Sequence, residues 1–551
     1  MAIKRYTATA DNTITNAYKN DLSTRATGSN TGQSDVVEIY SIFGRQSTSS
    51  AELSRVLMKF PVTSIDSDRT AGVIPASGSV SFYLRVFNAE TSKTVPKNMN
   101  VVIHAISQSW QEGDGLDLEN YKDDTDSNEG SNWMSASNTQ YWKDINDTLL
   151  VGGSYHTQSV SNVDVDTEVF IIKQNLESGL EDLEIDITPM VEQWIAGVYQ
   201  NYGVGISLTA SQEAHVSGTL NSVVSRTPRL PDPADSSNVD VYNPSGSTES
   251  YYTKRFFARG TQYFFKKPVI EARWNSATQD DRGDFFYSSS LAPGADNLNT
   301  LYLFNYVRGQ LTNIPQIGTT GSIMVSLFSG SADNTEPSGS RLELSIGGGV
   351  SIAAETFATG GYVSTGIYSC SLAITSAATP IKTLYDVWST GSIVDGDHYK
   401  TRFFTSSLKP ISLYASPNSK GNNRRVVKIK NLRAKYFSEE EARFNVYVRN
   451  KNWSPTIYTV ASTEIENTII PSASYRVYRA LDGYNVIPHG TGSDLHTILS
   501  YDVSGNYFNL DMSLLEPGYE YGIKLAFYDS QRQSWIEQDQ KFLFRVEDYE
   551  Y

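Results

Sequence analysis

Val80-Ser81-Phe82-Tyr83-Leu84-Arg85-Val86 decides the fold class. Val80, Phe82, Leu84 and Val86 fall on alternate positions, which places them on one face of an extended chain. A helix would scatter the same residues around its circumference. Leu183-Glu184-Ile185-Asp186-Ile187 repeats the alternation, and so do Tyr202, Val204, Ile206 and Leu208, spaced by Gly203, Gly205 and Ser207. Val101 to Ile106 is a denser apolar run and predicts an inner strand. Arg255-Phe256-Phe257, Tyr263-Phe264-Phe265 and Val269 to Trp274 predict further strands. One helix is predicted, with Thr188 as its cap, Pro189 at its first position and a stripe of Val191, Trp194, Ile195 and Val198. Asn201 is expected to end it in a left-handed turn.

The composition agrees with many short strands joined by turns. The 551 residues include 34 Tyr, 39 Gly and only 19% charged residues, so the surface must be rich in Ser, Thr, Asn and Gly. That length is enough for roughly three or four domains. The formal net charge is -16, which argues against binding a phosphate backbone or an anionic membrane surface. Cys370 is the single cysteine, so no intrachain disulfide forms. The opening Met1-Ala2-Ile3-Lys4-Arg5-Tyr6 lacks the apolar run of a signal peptide, and no apolar stretch is long enough for a transmembrane helix. Synthesis in a cytoplasm is the expectation.

The chain reads as a first region to residue 276, a polar linker at 277–298, a second β region at 299–438 and a third at 439–551. Within the first, residues 225–250 are rich in Pro, Ser, Asp and Asn and predict a long surface loop. Strands of the second region are Tyr302-Leu303-Phe304, Ile323 to Phe328 and Leu342 to Ile346, with Val426 to Leu432 closing it. In the third, Leu515-Glu516-Pro517-Gly518-Tyr519-Glu520-Tyr521 leads into Ile523, Leu525 and Phe527 at strand spacing. A Pro-Gly turn followed by a Tyr entering a strand resembles the tyrosine corner of fibronectin type III and related sandwiches.

The first region resembles the disaggregatase-related (DNRLRE) β-sandwich domain over about half the chain. The residues that carry the likeness are Ser54 to Phe60, the strand Val80 to Phe87, the turn Ser109-Trp110-Gln111-Glu112-Gly113, and Trp133 followed by Gly152-Gly153. Thr188 to Gly197 and Asn201-Tyr202-Gly203 complete it. The resemblance implies a jelly-roll-like fold and a binding or scaffold module, with no catalytic residues to carry over. The whole chain also resembles virion proteins of tailed phages, contractile-tailed cyanophages among them. Phe256 to Trp274, Gly366 to Cys370, Leu384 to Trp388 and the C-terminal region carry that second likeness. The fold class expected is all-β: tandem β-sandwiches, first jelly-roll-like and then immunoglobulin/fibronectin-like, with one short helix in the first.

Several local features bear on chemistry. Glu112, Asp114, Asp117, Glu119, Asp123, Asp124, Asp126 and Glu129 crowd one stretch against Lys122 alone. Asp114, Asp117, Asp123, Asp124 and Asp126 are the candidate calcium ligands, although the spacing is not that of an EF-hand and a solvated acidic loop explains it as well. The six His form no zinc pattern, and His104 reads as a core-edge side chain. No Gly-x-Ser-x-Gly elbow or phosphate-binding loop is present, and Cys370 reads as a buried thiol. Arg282-Gly283-Asp284 is an integrin-type tripeptide of the kind expected by chance. Arg424, Arg425, Lys428, Lys430, Arg433 and Lys435 form either a solvated strand face or a docking patch for an acidic subunit. Trp110, Trp133, Trp142 and Tyr155 fall in or beside long loops and could form a sugar-stacking platform; the alternative is that Trp110, with Trp194, belongs to the structural core that the resemblance implies.

The expected function is that of a structural virion protein of a tailed bacteriophage, at the neck, tail or capsid exterior. It would be assembled in the host cytoplasm and act through subunit contacts in a symmetric homo-oligomer, without catalysis, cofactor, nucleic acid or membrane insertion. The alternative is a carbohydrate-binding adhesin or receptor-binding protein that meets a host-surface glycan. A polysaccharide-degrading enzyme would need two facing carboxylates.

Overall fold

The computed structural model describes residues 2–19, 25–44, 50–92, 94–116, 130–144, 147–156, 171–217, 240–288, 294–330, 337–344, 357–374, 383–390, 401–411, 425–451, 467–490, 494–529 and 532–548, with Leu22, Ile381 and Ile457. The protein is all-β, and the chain divides into two compact units, Ala2–Asn275 and Ser276–Tyr551.

The first unit is a sandwich. One sheet runs Ile3–Thr7, Val269–Arg273, Ser81–Val86, Leu183–Asp186, every pair antiparallel. The other runs Tyr251–Phe257, Val36–Gly44, Ser50–Lys59, Val204–Leu208, Met99–Ala105, Ile171–Leu176, with Ala10–Thr15 also paired to Ser50–Lys59. The alternation quoted above has its expected result. Val80, Phe82, Leu84 and Val86 are buried and meet Val56, Met58, Val101, Ile103 and Ile206 of the facing sheet in one core. Met99–Ala105 lies inside its sheet between two neighbours, as its apolar density requires.

Among the described residues two α-helices are present in this unit, not one. α1 (Val62–Thr70) was not legible because only Val62 and Ile65 are buried and the rest of it is polar. α2 (Thr188–Ile195) is the predicted helix with altered ends. The Thr188 hydroxyl does not cap it. It accepts the Phe82 backbone N–H at 2.7 Å, while the Asp186 carboxylate accepts the Thr188 N–H at 2.8 Å. The helix ends before Asn201, with Gly197 taking the left-handed conformation at φ 70°. Val198 is consequently exposed instead of completing the stripe. Asn201 serves elsewhere, donating to the Phe60 carbonyl and accepting the Gly203 N–H. Arg69 of α1 forms a two-bond ion pair with Glu192 of α2. Phe264–Lys266 is a 3-10 turn where a strand was expected. Of the loop predicted at 225–250, residues 225–239 lie outside the described residues. Residues 240–250 are turns and isolated bridges.

The second unit begins with a seven-stranded sheet in the order Asn299–Phe304, Ile367–Leu372, Ala358–Ser364, Ile323–Gly330, Leu384–Thr390, Thr401–Leu408, with Pro337–Arg341 added on Ile323–Gly330. Leu301, Ile323, Val325, Tyr368, Trp388 and Leu408 share its core. The named strand ends at Arg341, but Leu342 still donates its N–H to the Leu327 carbonyl and Leu344 is a bridge residue; Ser345 and Ile346 of the expected strand lie outside the described residues. Tyr306–Val307 and Gln310–Leu311 make a short hairpin of their own, and the other strands described form a two-sheet sandwich. Its smaller sheet is Arg425–Ile429, Glu441–Asn450, Gly505–Asp511, Ser500–Asp502. Its larger sheet is Lys435–Phe437, Phe542–Glu547, Glu520–Asp529, Ala473–Arg479, Asn485–Ile487, with Ser534–Glu537 added on Glu520–Asp529.

Two boundaries differ from the expected ones. Arg425–Ile429 pairs with Glu441–Asn450, so a boundary at 438 would cut the last sandwich. The stretch 277–298 is not a free linker. Phe285 is fully buried in the core of the seven-stranded sheet, and Gln279 makes a parallel bridge to Tyr501. The tyrosine-corner contact is made by Tyr521, which is fully buried and donates its hydroxyl to the Glu516 carbonyl at 2.7 Å.

Candidate functional site

A dense polar cluster of the second unit lies at the joint formed by residues 278–284. The backbone here runs along strand Ser500–Asp502: the Asp280 N–H reaches the Tyr501 carbonyl, and the Tyr501 N–H reaches the Thr278 carbonyl. Arg282 then turns to the seven-stranded sheet. Its Nη1 and Nη2 donate to Asp386 Oδ1 and Oδ2 at 2.6 and 2.8 Å. Asp386 has no exposed surface and also accepts the Trp388 indole N–H at 2.6 Å. Asp281 accepts the Tyr501 hydroxyl at 2.7 Å and the Thr300 N–H at 2.6 Å. Burial pushes Asp280 and Asp284 up to about 6, with the Asp281 carboxylate adding to the rise at Asp284. The Arg282-Gly283-Asp284 tripeptide therefore has its guanidinium consumed inside the fold.

The root of the acidic stretch is also built into the fold. Glu112 accepts the Asp11 N–H at 2.8 Å and two N–H bonds from Arg259 at 3.1 and 3.0 Å. Asp11 is fully buried, accepts the Arg259 backbone N–H, and is pushed by burial up to about 7. Of the candidate calcium ligands, Asp114 is exposed beside this root, while Asp117, Asp123, Asp124 and Asp126 lie outside the described residues. Among the described residues no group of three or more His, Cys, Asp or Glu side chains is arranged to hold a metal.

The proposed sugar platform does not stand where it was expected. Trp133 and Trp142 are fully buried and Trp110 nearly so. Their contacts are structural: Trp110 donates its indole N–H to the Tyr202 carbonyl and Trp142 donates to the Asn132 carbonyl, each at 2.8 Å. Trp133 packs on Gly152, where a Cβ would lie 2.8 Å from the ring. Arg55 sits over both Trp133 and Tyr155 and pairs with Glu213 through two bonds. His104 is a core-edge side chain, 3.2 Å from the Ser207 hydroxyl, and burial lowers it to about 3. Cys370 is buried and its thiol is pushed up to about 12 by burial.

The basic run is answered locally. Arg424 lies outside the described residues, and Lys428 is exposed. Arg425 lies over Phe527, Lys430 over Tyr447, and Arg433 pairs with Glu440. Lys435 pairs with Glu547 at 2.9 Å and lines an open groove of about 710 Å³ with Phe437, Pro517 and Arg545.

A constellation that the sequence did not signal lies on the outer face of the last sandwich. Glu537 is held by Arg476 through two bonds of 2.6 and 3.2 Å and by Lys524 at 3.3 Å. These contacts, led by the Arg476 hydrogen bond, lower Glu537 to about 2. His489 follows, its Nε2 3.7 Å from Glu537 and its Nδ1 3.0 Å from the Ser474 hydroxyl. The order Ser, His, Glu is that of a nucleophilic triad. The geometry does not support one: Ser474 is 1% exposed and also bonded to Thr497, and the His–Glu separation is beyond hydrogen-bond reach. Trp535 and Tyr528 flank this cluster as an exposed pair, ring centroids 5.6 Å apart. Cross-strand pairing unites these residues, which are separated along the chain, so no local motif announces them.

No family model matches the chain, and no curated protein matches it. Among solved structures it is similar to a mutant of Salmonella alpha-2-macroglobulin, at 8% identity and a TM-score of 0.14. That alignment covers all of this chain and 34% of the other, so the chain spans about a third of that protein. At that score the likeness carries no argument about fold or function.

Proposed function

We propose that this chain is a structural protein of a tailed-phage virion, at the neck, tail or capsid exterior, acting through contacts between subunits. The observation that carries the reading is the joint at 278–284. Arg282–Asp386 ties it to the seven-stranded sheet, and Asp281–Tyr501 ties it to the sandwich that follows. Two consecutive β-layers fastened in this way behave as one stiff body, which suits a scaffold that transmits position. Two buried carboxylate clusters of the first unit are likewise spent on fold closure. Glu271 is fully buried and accepts bonds from Arg5, Arg85 and Arg273, and Glu213 is paired with Arg55. The residues quoted for the disaggregatase-related likeness also touch one another, Trp110 with Tyr202 and Trp133 with Gly152. The net charge of -16 suits high local concentration. The role requires no resident cofactor and no catalytic step. Placing the chain in a low-resolution map of a purified particle tests it. Repeated density that accepts the two units supports the proposal, and a particle with no such density overturns it.

A further inference from the structure

We propose that the outer face of the larger sheet in the last sandwich is a saccharide-binding site, with Trp535 and Tyr528 as stacking rings and the Arg476–Glu537 pair as a hydrogen-bonding fork. This goes beyond the structural role and stands on separate residues.

The register places the parts on one face. Trp535 pairs with Tyr528 and Glu537 with Ala526 across one ladder, while Arg476 pairs with Lys524 and Tyr478 with Gly522 across the next. Side chains two apart in a strand share a face, so Trp535 and Glu537 stand beside Tyr528, Lys524, Arg476 and Tyr478. Tyr478 packs against Gly522, where a Cβ would meet its ring at 2.3 Å. Trp535 and Tyr528 are each 38% exposed. They are held edge to face, with an interplanar angle of 62°. Rings fixed in this way lose little freedom when a ligand covers them.

The polar centre is set as firmly. Arg476 donates to Glu537 twice and to Asn485 at 2.6 Å, which leaves two of its five N–H groups uncommitted by these bonds. Lys524 donates to the Gln538 carbonyl at 3.0 Å, and His489 is braced by Ser474.

The chemistry of this face separates a sugar from a protein partner. A protein core laid over the rings would strip water from the Arg476–Glu537 pair, and desolvating an ion pair is costly. A pyranose covers a ring with its C–H face and puts its own hydroxyls where water solvated the ion pair. Its vicinal hydroxyls complement the remaining guanidinium N–H groups and carboxylate lone pairs. Each charged side chain at this centre already has a partner of opposite sign, Glu537 serving both Arg476 and Lys524, so the ligand class is a neutral hexose oligosaccharide.

The test is titration of the full chain with a panel of neutral hexose oligosaccharides, followed by tryptophan fluorescence and calorimetry. Saturable binding is expected, weakened about tenfold or more in Trp535→Ala. Tyr528→Phe keeps the ring and should bind nearly as well. Arg476→Lys keeps the charge but loses the fork and should weaken binding with an unchanged circular dichroism spectrum. Absence of saturable binding across the panel overturns the proposal, as does binding that Trp535→Ala leaves unchanged. Failure here leaves the virion role standing, because that role is read from particles and not from ligand binding.

Discussion

Arg282 grips Asp386 through two parallel N–H···O bonds of 2.6 and 2.8 Å across 104 residues of sequence. Asp386 is fully buried, so cutting the pair from one side strands a charge in the interior. Arg282→Ala should therefore destabilise the second unit by about 3 kcal/mol or more. Replacing both partners at once, Arg282→Met with Asp386→Asn, should cost much less, because no charge is stranded and the amide oxygen can still accept the Trp388 indole N–H. Denaturant unfolding of the full chain, single variants against the double variant, measures the difference. Equal losses in the single and double variants would show that the pair does not fasten the joint.

The joint also has a pH dependence of predictable sign. Burial holds Asp280 and Asp284 up near 6, above the ordinary aspartate value of about 3.9. The folded state then binds their protons more tightly than the unfolded chain. Their stabilising contribution is present below about pH 4 and is lost as pH rises through about 6. Asp280→Asn combined with Asp284→Asn removes the titration and should flatten that part of the profile. Unfolding midpoints between pH 4 and 7 check this, read as the difference between wild type and variant. That difference cancels groups elsewhere, such as Asp11.

Gly152 offers a steric test in the first unit. It has φ 73°, and a Cβ there would lie 2.8 Å from the Trp133 ring, whose position is fully buried. Gly152→Ala combines a left-handed backbone with overpacking and should cost about 2 kcal/mol or more. Gly197 has a similar φ of 70° but nothing within 4 Å of its Cβ, so Gly197→Ala should cost only the conformational part. Thermal unfolding of the two variants side by side separates the two effects.

Tyr521→Phe tests the corner in the last sandwich. It keeps the buried ring and removes one hydroxyl, leaving the Glu516 carbonyl without that donor. A loss of about 1–2 kcal/mol is expected, and a neutral result would mean that the corner contributes only through packing.

These tests fall on features that were unequally legible in the sequence. Val80 to Val86 announced its strand because one face is buried and the other is not, and alternation survives in the residue order. α1 left no such trace, since a helix that buries only Val62 and Ile65 reads as polar loop. Arg425–Ile429 was visible as a strand, but its partner at Glu441–Asn450 is a property of the fold and not of the strand. The joint looked like a linker because its Asp and Arg side chains find their partners, Asp386 and Tyr501, far along the chain. Trp110 and Trp142 fall in or beside long loops, a placement that left a stacking platform open as a reading. Backbone carbonyls at Tyr202 and Asn132 satisfy their indole N–H groups and allow them inside. The face around Glu537 was invisible for the same reason as the joint: three strands assemble it.

The proposed role is that of a structural component of a virion, and quantitative mass spectrometry of gradient-purified tailed-phage particles is its sharpest test. This chain is expected at a fixed, symmetric copy number relative to the major capsid protein, retained through salt washes. Its absence from intact particles, or a trace amount that washes away, would overturn the proposal.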